Sequence, residues 1–118
     1  MYSIQMIEDN SQHNKHKIFK DHLCRGLTTL NIDLTRGGVD VPKKFLADKS
    51  ITLNVSLFFG GDLVFSVDGG VTAVLTFSGE KYRCHIPWSA IYMISSSSDR
   101  TASAFKQDAP QWMEVDEV

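Results

Sequence analysis

A chain of 118 residues with a net charge of −2 has room for one domain and one core, without a disulfide or metal framework. Its near-neutral balance supplies no broad electrostatic pull toward nucleic acid or an anionic membrane. With 42% hydrophobic and 22% charged residues the composition is globular rather than disordered, and no apolar run approaches the roughly 20 residues of a membrane-spanning helix.

The first residues lack the basic, apolar and small-residue segments of a secretory signal. Cys24 and Cys84 lie far apart and belong to no motif, so they read as free, buried or semi-buried thiols of a cytoplasmic protein. Residues 1–11 show no clear period and read as a flexible arm. A helix is expected over Gln12–Arg25, with Ser11 as its N-cap and Gly26 as its stop. Phe19, Leu23 and Leu27 recur every fourth residue beside Ile18, which gives one apolar face. Lys15, Lys17, Lys20 and Arg25 read as its solvated face.

From Thr28 the period becomes two. Leu30, Ile32 and Leu34 alternate with polar residues, as in a half-buried strand. Val41-Pro42 through Leu46 fits an extended segment leading into a short helical turn. Ile51, Leu53, Val55 and Leu57 alternate again. Gly60-Gly61, Asp68-Gly69-Gly70 and Ser78-Gly79 are turn signals around strands holding Leu63 to Val67, Val71 to Phe77 and Tyr82 to Ile86. Ile91 and Met93 mark the last expected strand. Residues 97–118 read as a flexible polar and acidic tail with isolated Phe105 and Trp112. The fold class expected is mainly β, a small Sm-like barrel or two-sheet sandwich with an N-terminal helix.

Chemistry-bearing clusters are weak. His13, His16 and His22 on the helix have no partners at zinc-ligand spacing, so no metal and no cofactor is expected. His22 and Cys24, two apart on a helix, point away from one another and make a poor nucleophile pair. The glycine pairs lack a phosphate-binding pattern. With no convergent acid, base or nucleophile, the chain reads as a non-enzyme. Phe58, Phe59, Val64, Val74 and Trp88 break the simple alternation. They fit either a second covered sheet face or a hydrophobic groove beside an exposed strand edge.

Five collinear pieces sharpen that choice. They are Gly38-Val39-Asp40-Val41-Pro42; Ile51-Thr52-Leu53-Asn54-Val55-Ser56; Gly60-Gly61-Asp62-Leu63; Val74-Leu75-Thr76-Phe77-Ser78-Gly79; and Ile86-Pro87-Trp88-Ser89-Ala90-Ile91. In this order and spacing the chain resembles the stringent starvation protein B (SspB) adaptor family over roughly residues 15–96, within a domain taken as 12–96. The resemblance implies an Sm-like fold, a homodimer paired through the N-terminal helix, and a groove for the ssrA degradation tag. It also implies tethering of tagged proteins to the ClpX unfoldase of the ClpXP protease.

On that resemblance Leu53, Asn54, Val55, Ser56, Phe58, Thr76, Phe77 and Ser78 are expected at the peptide groove, and Ile18, Phe19, His22 and Leu23 at the dimer interface. The resemblance fails at the end of the chain. The family's hydrophobic-basic docking segment has no counterpart in Gln111 to Val118, where Trp112, Met113 and Val115 offer at most an apolar one. The alternative reading is an Sm-like barrel that binds RNA or another protein, although no basic-aromatic stacking motif is visible.

Overall fold

The computed structural model describes residues 1–110, with Phe59 and Gly60 described by their backbone alone. Trp112, Met113 and Val115, the apolar residues considered for docking, lie outside the described residues. The helix α1 spans Gln12–Arg25, the limits its capping residues dictate. The Ser11 hydroxyl accepts from the Asn14 backbone N–H at 3.2 Å, and the Gly26 N–H closes the last turn onto Leu23. Its buried face is Lys15, Phe19, His22 and Leu23, the i, i+4, i+7, i+8 stripe of one side of a helix. Leu27 falls past the helix end and is exposed.

Eight strands lie among the described residues: β1 Ser3–Ile7, β2 Thr28–Asp33, β3 Ser50–Val55, β4 Leu63–Ser66, β5 Gly70–Phe77, β6 Glu80–Ile86, β7 Ile91–Ser96 and β8 Thr101–Phe105. They form two sheets, ordered β1-β8-β7-β2-β3 and β4-β5-β6. The protein is therefore mainly β, with one α-helix and two sheets among the described residues. No ladder joins the sheets into a closed barrel there; Asp40 only bridges to His85 on β6.

Two local features set the smaller sheet. Phe77 pairs with Glu80, so Ser78-Gly79 is a two-residue hairpin loop. Both residues have positive φ, 52° and 85°, the twist that suits such loops. At the other end Gly70 has φ 72°, and a Cβ there would collide with the Ile86 carbonyl oxygen. Only glycine lets β5 pass that close to β6.

Trp88 fastens the layers together. It sits in a 3-10 turn, Trp88–Ala90, that follows Pro87. Its indole donates to the Ser66 carbonyl at 2.8 Å, and its ring packs edge-on against Phe19 of α1 at 5.8 Å. Phe65 of β4 also meets Phe19 edge-on, at 5.0 Å. His16, the half-buried neighbour, completes this aromatic group between helix and smaller sheet.

Both termini correct the sequence reading. Residues 3–7, within the expected flexible arm 1–11, form β1 and run parallel to β8 in full register, Ser3 beside Thr101 and Ile7 beside Phe105. Residues 101–105, within the expected flexible tail 97–118, form β8 between β1 and β7, and Phe105 is fully buried. β7 is thus not the last strand.

Lys15 is a further correction. It is fully buried rather than solvated. Its ammonium donates to the Trp88 carbonyl at 2.7 Å, the Ile91 carbonyl at 2.8 Å and an Asp108 carboxylate oxygen at 2.6 Å. All three of its N–H donors are used, so the charge is buried with the partners such burial requires.

Candidate binding groove

β3 is the last strand of its sheet and, among the described residues, pairs only with β2, which leaves its other edge without a strand there. β4 is short and covers only Gly70–Ala73 of β5. Val74–Phe77 therefore hold β6 on one side and, among the described residues, have no strand on the other. A 3-10 segment, Leu57–Asp62, carries the chain from β3 to β4.

These three pieces surround one cavity of about 590 Å³. β3 contributes Thr52, Leu53 and Asn54, β5 contributes Val74 to Phe77, and the 3-10 segment contributes Phe58 and Asp62. Two strand edges without strand partners thus border the same open space. Each carries backbone N–H and C=O groups that a further strand can satisfy.

The walls are mixed in character. Leu53 is buried, Leu75 and Phe77 are half-buried, and Thr52, Asn54 and Thr76 are exposed. Phe58 is 98% exposed, an unusual position for a large apolar ring beside a cavity. Its backbone N–H is held by the Ser56 hydroxyl at 3.1 Å. Thr29 donates to the Asn54 side-chain carbonyl at 2.6 Å and fixes that amide. Phe77 packs against Phe45 with the two rings tilted, their centres 5.3 Å apart. It also lines a second, adjoining cavity of about 390 Å³ with Ser78, Lys44 and Tyr82.

Of the eight residues expected at the groove, Leu53, Asn54, Phe58, Thr76 and Phe77 line the main cavity and Ser78 the adjoining one. Val55 does not; it is fully buried in the core. Ser56 is also buried, and its hydroxyl caps Phe58 instead of facing the cavity. Thr52, Asp62, Val74 and Leu75 were not expected. Val74 had a signal, since it breaks the alternation of β5. Asp62 had none.

The expected dimer face is corrected too. Phe19, His22 and Leu23 are buried inside the chain itself, and Ile18 is half-buried. The exposed side of α1 is polar, with His13, Lys17, Lys20 and Asp21 beside the exposed Cys24.

The ring of His22 sits between Ser96 Oγ, 2.6 Å from Nδ1, and Ser103 Oγ, 3.1 Å from Nε2. Arg25, which can only donate, lies 3.1 Å from Nδ1, so Nδ1 is the acceptor and Nε2 carries the proton. Burial, and then the Arg25 charge, lower the His22 pKa below its ordinary value. Cys84 is buried, and burial pushes its thiol up to about 11, which removes thiolate reactivity at neutral pH.

No protein-family model matches the chain, and no curated protein matches it. Among the described residues no three His, Cys, Asp or Glu side chains converge as a metal site, and no helix is long and apolar enough to cross a membrane.

Proposed function

We propose that the chain is a non-enzymatic adaptor. It binds the ssrA degradation tag as an extended segment between β3 and the open half of β5, and tethers the tagged protein to the ClpX unfoldase of ClpXP. The observation that carries this reading is the pair of free strand edges on one cavity, walled by five of the residues that the SspB resemblance nominates. A peptide laid there gains backbone hydrogen bonds from an edge, and the apolar walls select its side chains. Phe58 and Phe77 supply the large apolar contacts, and Asn54 and Thr76 the polar ones. On this reading the two sheets are an Sm-like fold left open at the groove.

Delivery follows from effective concentration. A modest contact with the tag and a modest contact with the unfoldase combine into much tighter capture when both are held on one adaptor.

The test is a titration of a fluorescent ssrA-tag peptide with the purified chain, read by anisotropy. Saturable binding that a scrambled peptide does not reproduce is the expected result. Absence of binding to tag peptides from several bacteria would overturn the reading.

A further inference from the structure

Asp62 is the one charged group, among the described residues, that lines the main cavity. It ends the 3-10 segment directly before β4. Leu63, the next residue, pairs with Ala73, so Asp62 stands where β4 stops covering β5, at the Val74 end of the groove. It is exposed and, among the described residues, forms no ion pair. Arg83 is opposite Val74, but on the β6 side of β5, and it lines neither cavity.

The other end carries the opposite sign. Phe77 lines both cavities and joins them. The charged residues lining the adjoining one are Lys44, Glu80 and Lys81, with one positive charge in excess. None of the three is in an ion pair among the described residues. Lys44 is held at this end by the Ser78 hydroxyl, which accepts from its ammonium at 3.2 Å. Asp40, bridged to β6, lines neither cavity, and its carboxylate accepts from the Tyr82 hydroxyl at 2.5 Å.

The backbone places a strand between these two ends. His85 exchanges both of its main-chain hydrogen bonds with Asp40, on the side away from β5. The side alternates along a strand, so Lys81 and Arg83 also turn their backbone groups away from β5. Their partners across the hairpin, Thr76 and Val74, form non-hydrogen-bonded pairs with them and turn their own N–H and C=O groups into the groove. A peptide bonded to those groups runs along β5, from Asp62 toward Ser78 or the reverse.

We propose that the groove is electrically polar along its length and reads charge in the peptide it takes. A basic side chain is favoured beside Asp62, and an acidic one about four residues away, beside Lys44 and Lys81. Val74 and Ser78 are four residues apart, about 14 Å at the rise of a strand. That exceeds the screening length of about 8 Å at physiological salt, so the two ends act separately. A strand edge accepts a partner in either direction; the two opposed charges select one of them. This inference rests on the groove reading above and narrows it to a class of peptide.

The experiment is the anisotropy titration run with a set of fluorescent ssrA-tag peptides, each residue replaced in turn by lysine and by aspartate. Wild type is expected to favour lysine over aspartate by about threefold over one stretch of the peptide, and aspartate over lysine by a similar factor about four residues further along. Both preferences should shrink in about 1 M salt. Asp62→Asn is expected to remove the first preference alone, with an unchanged thermal midpoint, because its side chain is exposed. Lys44→Gln combined with Lys81→Gln is expected to remove the second alone. Saturable binding without two opposed preferences, or a preference that survives the loss of its own charges, would overturn this inference and leave the groove reading standing. Failure of every peptide to bind would overturn the groove reading, and this inference with it.

Discussion

Lys15 and His22 are the two buried polar side chains of α1, and each has a measurable consequence. Lys15→Ala takes one donor from each of the Trp88 and Ile91 carbonyls and the nearest cation from Asp108, whose carboxylate keeps the Asn10 amide at 3.1 Å and the Arg36 guanidinium at 3.6 Å. The expected loss is about 3–5 kcal/mol in urea denaturation, as for breaking one side of a buried pair. Lys15→Met combined with Asp108→Asn should be more stable than Lys15→Met alone, because Asp108 without Lys15 keeps only Asn10 and the more distant Arg36 as partners for a buried charge. Equal stabilities would mean that Asp108 does not depend on Lys15.

His22 has its pKa lowered from the ordinary 6.5. Below 6.5 the unfolded chain takes up a proton that the folded chain refuses, so the unfolded state binds more protons and stability falls as pH falls. This loss runs from about pH 6.5 down to the lowered pKa of the folded state. His22→Gln should flatten the stability profile in that window; an identical slope in both proteins would show that His22 does not titrate on unfolding. Neither role was legible from residue type. Lys15 stood among Lys17, Lys20 and Arg25, and only its place on the Phe19–Leu23 stripe hinted that it points inward.

Elements whose signals are local were legible, and elements that depend on distant pairing were not. The limits of α1 follow from Ser11 and Gly26, and the β5–β6 hairpin follows from Ser78-Gly79. β8 reads Thr-Ala-Ser-Ala-Phe, small residues without the apolar alternation that marks a strand, and it is buried by neighbours far away in sequence. β1 is too short to show a period, its Ile4 and Met6 are exposed, and its partner lies almost the whole chain away. A parallel pairing at that separation leaves no local trace. Phe105 therefore tests the correction at this end of the chain. Phe105→Ala should cost about 3–5 kcal/mol, as for other buried aromatic truncations; unchanged stability would return residues 101–105 to a loose tail.

At the scale of the molecule, the order of the motifs pointed to a groove, but not to its construction. Two strands supply open edges for different reasons, β3 because it ends a sheet and β5 because β4 is too short to cover it. Pair lengths of that kind are a property of the assembled sheets. The same assembly explains why Val55 and Ser56 leave the site while Phe58 enters it. Because Phe58 is almost wholly exposed, Phe58→Ala should leave stability within about 0.5 kcal/mol of wild type. It should weaken tag binding by about tenfold, measured by anisotropy beside a denaturation curve. Normal affinity in the folded variant would take Phe58 out of the binding surface.

On the proposed reading the tag lies between two strand edges, and amide hydrogen exchange with and without the tag peptide tests that placement. Added protection concentrated at Thr52–Asn54 and Val74–Phe77 is the result predicted. Saturable binding with protection elsewhere, or with none at either edge, would contradict the account.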